Sequence, residues 1–482
     1  MILPAEIRDL IEALSGEIAV LRQENAALRE EIGDLRRQLD KNSSNSSKPP
    51  SSDGLKRPPR ILGSTRGKSG KKSGGQTGHK GGTLKQVACP DFVAHYEASA
   101  CSHCCAGLTA AMVTGVTKRQ VFDLPEPRLE VTEHRASIYH CAHCKGQTQA
   151  AFPEGVTGPA QYGARVKAAA VYLNVQQLIP EDRVAQTGRM LHIRLAMSDL
   201  FGAGLLCPAS VVAWGEKKAD QLAALVAHIF QAVAKAPVRN LDETGFRIGG
   251  KTQWLHTAST SALTSYRVSG KRGALPKGFK GGVVVHDHFK PYYTLPRVRH
   301  ALCNAHHLRE LKALIDIDNE QWAKQMSDLL LEANKAVRSV IAQGMRALPT
   351  PVLRPLIKRY NAIVRRGLTF HREQKPLARQ VGARGAIPHR PGYNLLRRLH
   401  KFKSDVLRFV YDFAVPFTNN QAEQDLRMMK VKMKISGGFR TTAGAQVFAC
   451  LRSVISTARK QGWKILQTLT GQPADLIQCL RQ

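Results

Sequence analysis

Five short runs of apolar and β-branched residues lie between positions 236 and 303, separated by Gly and Lys. Runs of this length and composition predict β-strands. Helical periodicity resumes in HHLRELKALI and continues to about residue 345, and further helices close the chain. Strands followed by helices predict a multidomain α/β protein whose core is interrupted by a helical insertion. The strand runs are VRNLDE, TQWLHTAS, SYRVS, GGVVVHDH and RHALCNA.

Two carboxylates stand at the ends of predicted strands. Asp242 follows the stretch Asn240-Leu241, and Asp287 follows Val283-Val284-Val285-His286. A carboxylate at the end of a buried strand is costly unless it is paired or holds a metal. If the two strands lie side by side, the carboxylates repel each other unless a cation lies between them. Mg²⁺ and Mn²⁺ prefer carboxylate oxygens, so the pair predicts a divalent-metal site.

A third carboxylate opens a late predicted helix. Thr418 or Asn419 is the expected N-cap, which places Glu423 in the first turn, near the positive end of the helix dipole. Lys430 lies two turns further on the same face, and Arg427 flanks it, so both are expected to contact DNA phosphates. With the two aspartates, Glu423 could hold two ions that clamp a scissile phosphate for cleavage and joining. Each acid taken alone is more often an ordinary cap or a surface carboxylate.

Other polar residues near these acids have simpler interpretations. His286 and His288 flank Asp287 and are interpreted mainly as polar neighbours. Cys303 and His306 have a C-x-x-H spacing that could hold a second zinc. Because no second pair follows nearby in the sequence, a core or DNA-facing role is favoured for them.

Two C-x-x-C knuckles indicate a structural zinc site. Matched knuckles supply the four thiolates that Zn²⁺ binds in small ribbon-like modules. Residues 117–139, between the knuckles, alternate like strands and are expected to form a hairpin. Redox cysteines and buried thiols without metal are the alternatives. The predicted zinc ligands are Cys101, Cys104, Cys141 and Cys144.

The N-terminal segment predicts a coiled coil. Over residues 7–39, Leu recurs every seven residues and Ile occupies most of the companion positions, with Asn25 at one of them. This pattern favours a parallel two-stranded coil, and hence a homodimer or higher oligomer. A single amphipathic helix packed on its own protein is the alternative. Residues 41–88 are rich in Ser, Gly and Pro and contain eleven Lys or Arg, which predicts a flexible basic linker.

The charge of the chain points to a polyanionic partner. The sequence has 71 Lys and Arg against 37 Asp and Glu, a net charge of +34. DNA or RNA is the expected partner from charge alone, with an anionic membrane as the second candidate, and double-stranded DNA is favoured. Residues 354–403 contain fourteen basic residues and one acid, and with Arg309 they are expected to contact the DNA backbone. Since no membrane span or signal peptide is evident, a cytoplasmic protein with no membrane partner is expected.

These features divide the chain into seven predicted parts. The parts are a coiled coil (1–40), a basic linker (41–88), a zinc-binding module (89–150), a helical DNA-binding or spacer region (151–235), the first part of the core (236–315), a basic helical insertion (316–412) and the final part of the core (413–482).

Several uncommon strings, taken in order, resemble those of transposases of the insertion-sequence-66 type, a bacterial DDE group. They follow the leucine-zipper start and accompany the cysteine knuckles. The strings are KNSSNSSKPPSSD (41–53), GQTGHKGG (75–82), Asp242-Glu243-Thr244, Cys303-Asn304-Ala305-His306 and Asn419-Asn420-Gln421-Ala422-Glu423.

The resemblance implies an RNase H-like catalytic core whose acids are Asp242, Asp287 and Glu423. At the second acid the family commonly has Asp-Gly-Tyr, whereas this chain has Asp287-His288-Phe289. The resemblance also implies binding to the ends of a mobile element, association with the bacterial nucleoid when bound, and small partner proteins encoded by the same element.

Two other functions fit parts of the pattern. One is an RNase H-like nuclease that cuts without joining, although such an enzyme needs neither a coiled coil nor a zinc module. The other is a non-catalytic zinc and coiled-coil DNA-binding protein, including an inactive transposase copy. The latter predicts that changes to the three acids leave function intact.

Overall fold

The computed structural model describes residues 14–25 together with 28, 32, 33, 35 and 39, and then 84–123, 129–185, 207–374 and 389–481. Helix α1 covers 14–25. Its heptad residues Leu14, Ile18 and Leu21 are exposed. The linker predicted over 41–88 lies outside the described residues as far as position 83. None of the described helices is long and apolar enough to cross a membrane.

The cysteine-containing segment has little regular structure. Strands β1 (Ile138–His140) and β2 (Gln147–Gln149) pair antiparallel and enclose the second knuckle. The strands predicted over 117–139 are therefore wrong in the described residues, except at their C-terminal end. No described residue from 84 to 167 is buried, so the alternating side chains have no apolar core to face. Such a module has to draw its folding free energy from elsewhere, and a metal is the usual source.

In the described residues between the cysteine-containing segment and the sheet lie the helices α2 (Ala164–Val175), α3 (Glu181–Ala185), α4 (Pro208–Gln221) and α5 (Ala223–Lys235). As the sequence predicts, Pro208 stands at the start of α4. Residues from α2 and α5 belong to the same hydrophobic cluster as residues from the sheet. The region predicted as a separate DNA-binding or spacer unit therefore contributes to the main core.

The five predicted strands form one mixed sheet. They are β3 (Val238–Ile248), β4 (Lys251–Ser259), β5 (Thr264–Ser269), β6 (Val283–His286) and β7 (Arg299–Leu302), in the order β5-β4-β3-β6-β7. Strands β3, β4 and β5 are antiparallel neighbours, whereas β6 and β7 run parallel to β3. The long central strand β3 thus borders both halves of the sheet.

A group of helices with its own core separates the sheet from the last helices. These helices are α6 (Asn304–Asp316), α7 (Gln321–Ala342), α8 (Thr350–Glu373), α9 (Pro391–Lys401), α10 (Lys403–Val406) and α11 (Arg408–Tyr411). Their buried residues form a second hydrophobic cluster, which includes Trp322, Tyr360 and Leu396. The amphipathic pattern of α7, α8 and α9 explains this packing, because each helix buries one apolar face.

The chain returns to the sheet through α12 (Asn420–Ser436) and α13 (Thr442–Gln461), followed by α14 (Ile465–Thr470) and α15 (Pro473–Gln478). Helix α12 ends at Gly437, whose φ of 69° is in the left-handed region that glycine favours. Phe439 then bridges to Ile248 at the end of β3. Helix α12 is thereby fixed along the central strand, with its N-terminus near Asp242.

Candidate catalytic and metal sites

Asp242 and Asp287 stand next to each other at one edge of the sheet. Strands β3 and β6 are parallel neighbours, and Asn240 pairs with Val285. Asp242, two residues after Asn240, lies within β3 and not at its end as predicted, and Asp287, two residues after Val285, directly follows β6; the register therefore places the two aspartates side by side. Asp242 Oδ1 accepts a hydrogen bond from the Glu243 amide at 2.8 Å, and Asp287 Oδ1 accepts one from the Phe289 amide at 3.1 Å.

Asn419 fixes the N-terminus of α12 against β3. It is the N-cap residue, as predicted, but its side chain makes no cap hydrogen bond. Instead, its Nδ2 donates to the Leu241 carbonyl at 2.8 Å, and its Oδ1 accepts from Asn240 Nδ2 at 2.8 Å. The backbone N–H of Asn419 donates to Cys303 Sγ at 3.1 Å. Glu423, in the first turn of α12, is thereby brought to the edge of the sheet that carries Asp242.

The neighbouring acids raise the pKa of Asp242. Burial raises the pKa of Asp242 well above its usual value, and the charges of Asp287 and Glu243 raise this pKa further. The charge of Glu423 also contributes to the raised pKa of Asp242. Asp242, Asp287 and Glu423, from three separate elements, therefore lie within electrostatic reach. Three carboxylates form an all-oxygen donor set, which fits Mg²⁺ or Mn²⁺.

Sequence reasoning missed a supporting network around Glu243. This residue is buried; its Oε1 accepts from Arg272 Nε at 2.8 Å, and its Oε2 accepts from the Tyr292 hydroxyl. Arg272 also lies over the ring of Phe289, 4.1 Å from its centroid. The network connects β3 to the turn that follows Asp287. Successive residues of a strand point to opposite faces of the sheet, so Glu243 points away from Asp242. This alternation could have indicated a buried acid that needs a cation. Nothing in the sequence indicated that the cation is Arg272.

The two histidines beside Asp287 are neutral neighbours. His286 is buried and its Nε2 lies 3.2 Å from His300 Nδ1; burial lowers the pKa of His286 to about 3. Burial also lowers the pKa of His288 to about 4. His288 has a φ of 76°, a conformation that glycine adopts at little cost. Its ring packs against Phe402 of the helical group, so a contact supports this backbone where the family commonly has glycine.

The predicted DNA-binding residues fall into two groups. Arg427 and Lys430 are exposed on α12, the helix that carries Glu423. Arg309, on α6, instead turns toward the acids, and its Nη2 lies 3.4 Å from Glu423 Oε1. Arg309 therefore neutralises part of the negative charge at the site, while the two exposed cations remain available to phosphate.

The two cysteine knuckles have the same local geometry. In each, the amide of the residue after the second cysteine donates to the carbonyl of the first, at 2.9 Å: Cys105 to Cys101, and Lys145 to Cys141. Cys105 and Lys145 both have a φ of 57°. Hydrogen bonds from the knuckle backbone lower the pKa of the Cys101 and Cys141 thiols. Thiols that lose their protons readily are suited to binding zinc.

The described residues do not bring the two knuckles into one cluster. The ligand atoms that converge to within 4.8 Å come from a different set: Cys303, His306 and Glu423. Cys303 and His306 lie at the start of α6 and Glu423 at the start of α12. Glu423, more than a hundred residues away in sequence, therefore supplies a third ligand, where the sequence showed only the C-x-x-H pair.

Comparison with known families assigns two parts of the chain. Residues 159–447 match the family described as Transposase IS66 family. Residues 98–145, which include both knuckles, match the zinc-finger binding domain of transposase IS66, and this supports a structural zinc. Residues 2–85 match a family of unknown function. No curated protein matches the chain.

Proposed function

Since the chain belongs to the IS66 transposase family, we propose that it cuts and joins DNA at one divalent-metal site formed by Asp242, Asp287 and Glu423. The observation that carries this proposal is the parallel pairing of β3 with β6, in which Asn240 lies opposite Val285; the charges of Asp287 and Glu423 also contribute to the raised pKa of Asp242. Strand β3, the end of β6 and helix α12 each contribute one carboxylate. Bringing three negative charges together costs folding free energy. A cation offsets that cost.

The proposed core is RNase H-like. The support is the mixed sheet, with three antiparallel strands followed by two parallel ones, and the return of the chain to the central strand through α12. The helical group between α6 and α12 is proposed as the basic insertion predicted over 316–412. Accessory proteins of the same element remain part of the proposal.

The residues at the proposed site have separate tasks. Asp242, Asp287 and Glu423 would hold two Mg²⁺ or Mn²⁺ ions, which when bound activate a water or 3′-hydroxyl nucleophile and stabilise the leaving oxygen. Arg427 and Lys430 are proposed to bind the phosphates next to the scissile bond, because both are exposed on the helix of Glu423.

The N-terminal regions are proposed to recognise and pair the ends of the element. The exposed heptad residues of α1 support association of two copies through a coiled coil. The zinc module and the basic segment before it are proposed to bind DNA, since the segment 41–88 carries eleven Lys or Arg against one acid.

Conservative changes to the acids test the catalytic assignment. Asp242→Asn and Glu423→Gln keep the side-chain size but remove the charge that binds the cation, so we expect Mg²⁺-dependent strand transfer to fall by about a thousandfold or more. Binding to element ends, measured by mobility shift, should remain. Asp328→Asn, an exposed aspartate on α7, is the matched control. Strand transfer by either triad variant at the control rate would refute the assignment.

A further inference from the structure

A second set of potential metal ligands shares Glu423 with the proposed catalytic site. Cys303 Sγ, a ring nitrogen of His306 and a carboxylate oxygen of Glu423 all lie within 4.8 Å of one another. Cys303 directly follows β7 and precedes α6, and His306 lies in the first turn of α6. Two helix N-termini therefore bring a thiol, an imidazole and a carboxylate together.

The surroundings of Cys303 and His306 suit metal ligands. Cys303 is 1% exposed, and burial raises the pKa of its thiol to about 11; the backbone N–H of Asn419, which donates to Sγ, offsets part of this rise. His306 Nδ1 is buried and has no hydrogen-bond partner among the described residues. It lies 3.8 Å from Glu423 Oε1, too far for a hydrogen bond. A buried ring nitrogen without a partner, facing a thiol and a carboxylate, requires an explanation.

The chemistry of the donors selects the class of metal. One sulfur, one nitrogen and one oxygen suit Zn²⁺, whereas Mg²⁺ prefers oxygen ligands alone. Three protein ligands also leave a fourth position for water or a phosphate oxygen. The two sets of ligands around Glu423 thus differ in which ion they favour.

We propose that Cys303, His306 and Glu423 form a zinc-class metal site whose occupation withdraws Glu423 from the catalytic acids and inhibits strand transfer. Binding of zinc would release the thiol proton of Cys303. Because both sites would draw on the single carboxylate of Glu423, zinc and the catalytic cations would compete for this side chain. The inhibitory part of this inference rests on the proposed function, whereas the metal site itself does not.

Metal counting tests the site directly. The full-length protein is loaded with zinc, freed of loosely bound metal by gel filtration and measured by mass spectrometry of its metal content. We expect the unmodified protein and Cys450→Ser, a control at a partly buried thiol outside the cluster, to retain one more zinc per chain than Cys303→Ser. His306→Gln, a second variant, should also lack this zinc. Circular dichroism checks that each variant is folded.

A spectroscopic measurement separates this site from the knuckles. With zinc left in the knuckles, added Co²⁺ should give a thiolate-to-metal absorption band in the unmodified protein and in Cys450→Ser. The band should disappear in Cys303→Ser and weaken or shift in His306→Gln. Equal zinc content and equal Co²⁺ spectra in Cys303→Ser and the unmodified protein would overturn the site.

The inhibitory effect is measured as a ratio within each protein. Zinc added to a Mg²⁺ reaction should reduce strand transfer by the unmodified protein by about tenfold, the lower end of what altered metal ligation costs an enzyme. The ratio should approach one in His306→Gln. The same inhibition in both proteins would overturn the regulatory role. If the unmodified protein shows no strand transfer in Mg²⁺, the proposed function fails, while the zinc count still decides whether the site exists.

Discussion

At the scale of single residues, Asp242 occupies a charge environment that opposes folding. Burial and the charges of Asp287, Glu243 and Glu423 raise its pKa above the usual value of 3.8. A carboxyl group whose pKa is raised on folding destabilises the folded state at neutral pH, and the penalty disappears as the pH falls below the unfolded pKa. Removal of the Asp242 charge should therefore relieve the repulsion among these acids and stabilise the fold, at the expense of the proposed cation binding.

The first prediction concerns stability. In metal-free buffer at neutral pH, Asp242→Asn should increase the free energy of unfolding by about 1 kcal/mol, which is within the usual range of stabilising substitutions. Denaturant unfolding measures the change, with Asp328→Asn as the control. The difference should shrink in acid, where Asp242 is protonated in both states. Destabilisation by Asp242→Asn at neutral pH would mean that the acids do not repel one another.

Sequence patterns predicted some residue positions but not their contacts. The position of Asp287 directly after a strand follows from the apolar run that precedes it, whereas Asp242 was expected at a strand end and lies within β3 (Val238–Ile248). Asn419 was expected to cap its own helix, yet its side chain bonds to β3. Caps and long-range hydrogen bonds use the same amide, and only the packed chain determines which one forms. The partners of Glu243 were invisible for the same reason.

At the scale of helices and strands, the positioning of α12 depends on a few polar contacts. The Asn419 amide side chain joins this helix to two backbone or side-chain groups of β3, at Leu241 and Asn240. All of these groups are buried. Loss of the side chain would leave two buried polar groups without partners.

The second prediction follows from this connection. Asn419→Ala should destabilise the protein by about 1–3 kcal/mol, because Asn240 and the Leu241 carbonyl lose their partners. It should also lower kcat for strand transfer more than it weakens binding to element ends, since Glu423 moves while the DNA-binding surface remains. Asn394→Ala, at an exposed asparagine of α9, is the control. A loss of stability without any change in kcat would limit Asn419 to a structural role.

The two parts of the chain with cysteine ligands differ in predictability. The knuckles could be identified from spacing alone, and the family match supports zinc there. In the described residues of 117–139 the expected strands are absent before Ile138, because alternation predicts a strand only where one face can be buried. The cluster at Cys303 and His306 could not be predicted, because its third member, Glu423, arrives from another helix.

At the scale of the whole molecule, the mixed α/β core, the zinc module and the N-terminal helix belong to different regions of the chain. The five strands of the large sheet were predictable from the sequence, because each of them is a separate apolar run. The inclusion of α2 and α5 in the main core was not, because an amphipathic helix does not specify its partner.

The third prediction concerns assembly. Leu21 is 60% exposed on α1, at a heptad position of the proposed coiled coil. Leu21→Glu should convert an oligomer to monomers and reduce the paired capture of two element ends, as measured by light scattering and by pull-down of one end with another. Gln23→Glu, which adds the same charge at an exposed position on the outer face of the helix, is the control. An unchanged mass for Leu21→Glu would rule out assembly through this helix.

A change of metal preference tests most directly whether Asp242 and Asp287 bind the catalytic cations. Asp242→Cys and Asp287→Cys each replace one oxygen ligand by sulfur, which binds Mn²⁺ better than Mg²⁺. Strand transfer is measured for both variants and for the unmodified protein in each metal. We predict that both variants are inactive in Mg²⁺ and regain activity in Mn²⁺. Equal activity in the two metals, or inactivity in both for folded variants that still bind element ends, would contradict the account.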